Sequence, residues 1–271
     1  MKNATPIPAL LTVLVSAAAA PNPELPSPRT ATVEVPARII LDTDMLTDCD
    51  DTAALAMLHA FADAEKAEIL AITVSSRYPA SVAVVDAVNT YYGHGTISIG
   101  APKNGTGAFR SDSCFLDIVS DEFPHALKSN DDAEDAIRVM RRVLANAEKP
   151  VTLVTIGYMS NVAGLLKSLP DDISPLSGMD IVKAHVDKWV CMGGNFPVDA
   201  GQDNVNFTRD AEPALYAIRN FPGKIVFCGR EIGHSIFVGE CLKALPGSNP
   251  VRRAYELHRG RFGNNWDHHT A

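Results

Sequence analysis

The sequence predicts an α/β fold, an open and mostly parallel sheet flanked by helices. Three observations predict it. Residues 39–41, Ala67–Val74 and 151–156 are apolar runs, as expected of strands buried on both faces. Helical patterns follow, with apolar residues at core spacing. Polar and acidic residues cluster just after the strands, where open α/β sheets bind ligands. The chain has 271 residues, 46% hydrophobic and 21% charged, which suits one sizeable globular domain and excludes a disordered or fibrous protein. The net charge is −8 and no basic run is present, which excludes nucleic-acid backbone binding.

Residues 1–20 read as a secretory signal peptide. Met1-Lys2-Asn3 precedes an apolar run over 7–15 and an Ala-x-Ala end. The run is too short to span a bilayer, so no membrane span is expected. The leader predicts a secreted or periplasmic protein, and a cytoplasmic one if it is not cleaved. Residues 21–36, rich in proline and threonine, read as a linker. The domain is expected over 37–271. Five cysteines at irregular spacing form neither a disulfide framework nor a zinc pattern.

The first strand runs into Asp42-Thr-Asp44-Met-Leu-Thr-Asp48-Cys-Asp50-Asp51, five aspartates in ten positions. A helix follows, with Leu55, Leu58 and Phe61 expected in the core. The helix dipole offsets only about 0.3–1 kcal/mol of repulsion per carboxylate. A bound cation is the natural remedy, and all-oxygen ligands favour Ca²⁺ or Mg²⁺ over zinc. An EF-hand loop does not fit, because its glycine slot holds Thr47 and its final glutamate slot holds Ala53. The alternative is a solvated acidic loop that caps the helix.

A second strand, Ala67–Val74, ends in Ser75-Ser76, and a helix over 80–92 stops at Gly93. Residues 97–100 form a short third strand. Residues 103–124 read as an irregular flap. A helix over 131–148 carries Ile137, Met140 and Leu144 on one face. The strand over 151–156 leads into Gly157-Tyr-Met-Ser160-Asn161, whose plainer reading is a strand-to-helix turn with an N-cap. Trp189-Val-Cys-Met192-Gly193-Gly194-Asn195 is a strand end where glycines admit a ligand close to the backbone. Asp203-Asn204-Val-Asn206 reads otherwise as a polar turn before the next helix. A strand over Lys224–Cys228, a mixed and mainly helical stretch over 232–245 and a surface helix over 250–261 complete the domain.

Asp42-Thr-Asp44 followed by Asp50-Asp51 resembles the amino-terminal signature of the inosine-uridine preferring nucleoside hydrolases. Many members carry a shorter Asp-x-Asp-Pro-Gly-x-Asp-Asp form. This chain has two extra residues and lacks the Pro-Gly, like a divergent branch. Gly157-x-x-Ser160-Asn161, Met192-Gly-Gly, Asn206 with Asp210, and Trp266-Asp267 continue the resemblance. It implies a nucleoside hydrolase-like, Rossmann-like core and hydrolysis of a ribonucleoside N-glycosidic bond. It implies one Ca²⁺ held by Asp44, Asp51, the Ser160 carbonyl and Asp267, with Asp44 also the general base and Asp42 its support. Asp50, Asn206, Asn204, Ser76, Met192 and Asn195 are the implied substrate contacts. Asn204 stands where a glutamate is usual, and Ser75-Ser76 where Gly-Asn is usual. Relatives continue beyond the point matching Ala271, so the C-terminus reads as truncated.

Asp48 is either a helix cap or a metal-facing group. No acid for the departing base is identifiable; His234 is a candidate by residue type only. The implied partner is a small nucleoside, with a homo-oligomer left open. Two competing readings remain. One is a secreted calcium-dependent nucleoside or ribose binder without turnover. The other is a haloacid dehalogenase-type phosphatase, whose Asp-x-Asp-x-Thr motif Thr47 misses by one residue.

Overall fold

The computed structural model describes residues 35–103, 114–197, 205–262 and 268–269. The strands are β1 (Ala37–Thr43), β2 (Ala67–Val74), β3 (Ile99–Ala101), β4 (Glu134–Asp135), β5 (Val151–Thr155), β6 (Val186–Met192), β7 (Lys224–Cys228), β8 (Phe237–Val238) and β9 (His268–His269). The helices are α1 (Asp50–Asp63), α2 (Ser81–Tyr91), α3 (Cys114–Glu122), α4 (Ala136–Ala145), α5 (Ser160–Lys167), α6 (Gly178–His185), α7 (Val205–Thr208), α8 (Ala211–Asn220), α9 (Arg230–Ser235) and α10 (Pro250–Phe262). A 3₁₀ turn spans Glu240–Ala244.

Seven strands form one parallel sheet in the order β4-β3-β2-β1-β5-β6-β7. β8 and β9 pair antiparallel apart from it. The chain winds outward from β1 to β4, then returns to place β5 against β1. That reversal makes a switch point between β1 and β5, with Asp42 registered to Thr155. Ligands of open α/β sheets bind outside the carboxyl ends of the strands at such a point.

Side chains alternate across the pleat, so adjacent residues of β1 feed different cores. Leu41 packs with Leu55, Ile72, Val74 and the buried faces of α2, α3 and α10. Ile40 packs with Met140, Leu153, Trp189 and Cys191 under α4, α5 and α8. Asp135 caps α4, accepting from the amides of Ile137 and Arg138. Among the described residues, no side-chain hydrogen bond from the N-cap residue closes α1; of its first-turn acids, Asp51 accepts from Thr43 Oγ1 at the end of β1, and Asp50 accepts from the Asp51 amide. Among the described residues, no helix is long and apolar enough to cross a membrane.

Several local expectations need correction. Phe61 is 47% exposed, whereas Leu55 is fully buried. With Met57, Ile39, Val154, Ile156 and Ile236, Phe61 lines an apolar groove of about 470 Å³ beside α1. Helical spacing put Phe61 on the inner stripe, but among the described residues no element covers its ring. Residues 114–122 are helical, not flap; 104–113 lie outside the described residues. Glu134–Asp135 is an edge strand, so α4 starts later than its pattern indicated. The stretch over 232–245 divides into α9, β8 and the 3₁₀ turn. α10 buries Val251, Ala254, Tyr255 and His258 and is no surface helix.

Two stability predictions arise here. Leu55→Ala is expected to cost about 2–5 kcal/mol, as a cavity in a packed core. Phe61→Ala is expected to cost far less, since the ring has half its surface in solvent already. Urea unfolding of both variants checks the contrast.

The second concerns His59, which is buried on α1 and bonded through Nε2 to Asn89 Oδ1 at 2.8 Å. It stacks on Tyr92 and on His94, the latter paired with Asp63. Burial holds the His59 pKa below the ordinary 6.5, against the opposing pull of the Asn89 bond. Above about pH 6.5 the imidazole is neutral folded or unfolded, so it adds no pH slope. Below that, the unfolded chain takes up a proton that the folded one resists, and stability falls. The loss is complete once pH drops below the folded value. His59→Gln is expected to flatten this acid limb, read as the difference between the two proteins from pH 7 to 5.

Candidate active site

The site lies at the carboxyl edge of β1, β2, β5 and β6. Asp42, the penultimate residue of β1, is fully buried. Its Oδ2 accepts from Thr73 Oγ1 at 2.5 Å and Asn161 Nδ2 at 2.7 Å. Asn161 Nδ2 also donates to the Val74 carbonyl at 2.8 Å. One amide at the start of α5 thereby fastens the ends of β1 and β2. Burial pushes the Asp42 carboxyl up to about 7, although the Thr73, Asn161 and Ser75 hydrogen bonds pull it down. Its Oδ1 is buried and, among the described residues, has no hydrogen-bond partner. Such an atom calls for an explanation in a native site.

Asp44 follows β1 and meets Asp51 from the first turn of α1. Burial raises the Asp44 carboxyl well above the usual carboxylate range, and the charges of Asp50 and Asp48 raise it further. Hydrogen bonding from Asp51 and Tyr158 works the other way. Asp51 is raised by burial and by Asp44, and Thr43 Oγ1 donates a very short hydrogen bond to its Oδ1. Asp50 is raised by burial, then by Asp51 and Asp48. Three carboxyl groups thus share one low-dielectric corner, where like charges disfavour ionisation.

The turn after β5 closes the pocket. A Cβ on Gly157 would lie 2.2 Å from the Asp44 amide nitrogen. The absence of a side chain at Gly157 therefore lets the turn approach Asp44. Ser75 Oγ donates to the Thr43 carbonyl at 3.3 Å and accepts from the Tyr158 amide at 3.1 Å, tying β1 to this turn. The Tyr158 phenol is buried, and burial first and then the Asp44 charge raise its pKa against the opposing pull of Arg209. Ser160 is buried at the head of α5, beside the Asp210 carboxyl. Burial raises Asp210, while Ser160 and the Arg77 charge oppose that shift.

The structure brings Asp44, Asp50 and Asp51 together, with Asp42 behind them. Ser160 is buried at the head of α5, after the β5 turn. Asn206 Nδ2 donates to the Ile156 carbonyl at 2.9 Å and the Met192 carbonyl at 3.3 Å, so it bridges the ends of β5 and β6. Met192 and Asn195 are partly buried at the end of β6. Gly193 lies under the Phe207 ring, where a Cβ would come within 2.3 Å. The Ser76 hydroxyl sits within the β2–α2 turn, 3.3 Å from Ser81 Oγ and accepting from the Tyr78 amide. Ser75, its neighbour, is the serine that reaches the β1 and β5 ends. Asp48 is exposed and lies 3.6 Å from His258 Nε2; it caps nothing. His234 is exposed on α9. Asn204 and Asp267 lie outside the described residues.

Among the described residues, no three His, Cys, Asp or Glu side chains form a ready metal-binding set. The donor chemistry nevertheless fits a hard cation. Asp44 and Asp51 bring carboxyl oxygens against each other, and the repulsion between the carboxyls falls when a positive charge sits among them. Asp42 Oδ1 adds a buried oxygen without a partner among the described residues.

Thr43, Thr73, Ser75, Asn161 and Tyr158 were not singled out as site residues from the sequence. Their partners lie 8 to 119 positions away for the bonds described by Thr43 to Asp51 and Asn161 to Asp42. For Thr43, Thr73, Ser75 and Tyr158 the available signal was a polar residue within two positions of a predicted strand end; Asn161, five positions beyond one, stood only in the Gly157-x-x-Ser160-Asn161 motif.

A family model described as inosine-uridine preferring nucleoside hydrolase matches residues 39–260. The non-specific ribonucleoside hydrolase RihC of Salmonella schwarzengrund is 32% identical over 124 residues, covering 43% of this chain and 36% of that protein. RihC of Escherichia coli K12 is 31% identical over 116 residues, covering 42% and 35%. The matched stretch therefore spans about a third of these relatives. The structure of an inosine-uridine preferring nucleoside hydrolase from Bacillus anthracis superposes with a TM-score of 0.60 at 16% identity, covering 82% of this chain and 76% of that one. The type III effector XopQ complexed with adenosine diphosphate ribose superposes at 0.64 and 17% identity, covering 84% and 67%. At these identities the structures show a shared fold. Neither the phosphatase nor the turnover-free binder receives support from these matches.

Proposed function

Because the chain belongs to the inosine-uridine preferring nucleoside hydrolase family, we propose that it hydrolyses the N-glycosidic bond of ribonucleosides, releasing base and ribose. The observation that carries this reading is the meeting of Asp44 and Asp51 at the β1–β5 switch point, braced from behind by Asp42, Thr73 and Asn161. A ribosyl group is also the kind of ligand named for the XopQ complex.

Asp44, Asp51 and the Ser160 carbonyl would hold one Ca²⁺, with Asp267 as the fourth protein ligand. When bound, the ion supplies Lewis-acid activation of water and a grip on ribose hydroxyls. Asp44 takes the proton from the attacking water as general base. Asp50 accepts a ribose hydroxyl, and the Asn206 side chain bounds the sugar from the β6 side. The neighbouring carboxylates stabilise positive charge developing at C1′. Asp42 holds the β1 terminus still, so that Asp44 meets the water at a fixed place. The leader over 1–20 supports an exported enzyme.

The test is release of reducing sugar from inosine and uridine, with and without a calcium chelator. Hydrolysis that stops on chelation and returns with Ca²⁺ is the expected result. Tight nucleoside binding without base release would replace this reading with that of a binding protein.

A further inference from the structure

The segment from Asp44 to Asp51 carries the carboxylates of the site, and its backbone does not favour the shape it takes. Met45, directly after Asp44, has a φ of 36°, a left-handed conformation rare for residues with a Cβ. Among the described residues, no side-chain hydrogen bond from Cys49 closes the head of α1. Such a loop keeps its shape only where its surroundings fix it.

Three sets of contacts fix it. Thr43 Oγ1 accepts from the Met45 amide at 3.1 Å, and Ser81 Oγ donates to the Met45 carbonyl at 2.8 Å. Met45, Leu46 and Cys49 are fully buried in the core that also holds Val251, Ala254 and Tyr255 of α10. At the far end of the loop, His258 of α10 is buried and places Nε2 3.6 Å from Asp48 Oδ1, within reach of an ion pair.

α10 is a firm support for that contact. Asn249 Oδ1 accepts from the amides of Val251 and Arg252 at 2.9 and 3.0 Å, closing the head of the helix. Arg253 holds both carboxylate oxygens of Glu122 on α3, at 2.6 and 2.8 Å. The His258 ring meets Phe115 of α3 edge to face, with centroids 6.5 Å apart. Asp48 itself is exposed and can be satisfied by water, so the contact matters for the loop that carries it. The next residues are Cys49, Asp50 and Asp51. Tyr255, three residues before His258, lines the groove beside α1 together with Asp50.

We propose that His258 is a positioning residue: through Asp48 it holds the α1 end of the loop, so that Asp50 and Asp51 face the site. It touches neither the ion nor the sugar. The inference rests on the calcium-dependent hydrolase reading above and deepens it.

The experiment measures calcium affinity by calorimetry and kcat/KM for inosine in the full chain, in Asp48→Asn, in His258→Ala and in the double variant. Arg253→Gln, which loosens α10 from α3, is the control, and thermal melting keeps every measurement well below unfolding. Each single variant is expected to weaken calcium binding and to lower kcat/KM about tenfold, as losing a supporting group does. The double variant is expected to lose no more than either single one, since both remove the same contact. Arg253→Gln is expected to melt earlier with calcium affinity within about twofold of the unaltered chain, as for a distant and independent site. Calcium affinity unmoved in Asp48→Asn, losses that add in the double variant, or an equal loss in Arg253→Gln each overturns the proposal while leaving nucleoside hydrolysis standing. If His258→Ala does not fold, Asp48→Asn, an exposed change that keeps the side chain's size, decides alone. If the unaltered chain neither binds calcium nor cleaves inosine, the hydrolase reading fails and this inference with it.

Discussion

Asp44→Asn is expected to lower kcat for nucleoside hydrolysis by about 10³-fold or more, since a positioned general base alone contributes about 10²–10⁴. Asparagine keeps the size of the side chain but accepts no proton. It also removes half of the carboxylate pair through which Asp44 and Asp51 would share a cation. The ion-free protein should not lose stability. Asp44 is crowded by the charges of Asp50 and Asp48 and shifted upward by burial, so neutralising it relieves repulsion. A gain of about 1 kcal/mol would raise the melting temperature of a domain this size by about 2–4 °C. Thermal unfolding in chelator and steady-state kinetics with calcium together make the check. A kcat within tenfold of wild type would remove Asp44 from the role of base.

Gly157→Ala is expected to damage both folding and catalysis. The new methyl group would sit 2.2 Å from the Asp44 amide nitrogen, 2.8 Å from its Cβ and 2.8 Å from Ser75 Oγ. Two of those atoms belong to the residue that must meet the attacking water, so the clash cannot be relieved by swinging a flexible side-chain end. Overpacking of this kind costs about 1–3 kcal/mol. A displacement of about 1 Å at the reacting group costs on the order of 10²-fold in rate. Gly247→Ala is the control, because nothing lies within 4 Å of a Cβ there. If Gly157→Ala melts and turns over like the control, the close approach of the β5 turn to Asp44 is wrong.

Much of the architecture was legible because parallel strands buried on both faces read as unbroken apolar runs. β2 and β7 fall where their sequences place them, and so does α1, which takes Asp50 and Asp51 into its first turn. Elements with weaker local signals were not legible. Glu134–Asp135 is a two-residue edge strand whose composition carries no strand pattern. Phe61 shows correct helical spacing, yet spacing reports only which residues share a face, not whether anything packs on it. Ser75 and Ser76 illustrate a finer limit. Both follow β2, but one step along an extended chain reverses the side chain's direction. Ser75 therefore reaches Thr43 and the Tyr158 turn, while Ser76 stays within its own loop.

The amino-acid sequence alone determined the fold class, the strand ends at which ligands bind, and the density of carboxylates after β1. Each is a local property, written in periodicity, in composition and in residues a few positions apart. Only the tertiary structure decided which groups meet. The return of β5 to the side of β1 brings Asn161 onto Asp42 across 119 positions and sets Tyr158 against Asp44. Those encounters follow from strand order, which pairwise burial and hydrogen bonding select over the whole chain, so no short window of residues could have specified them.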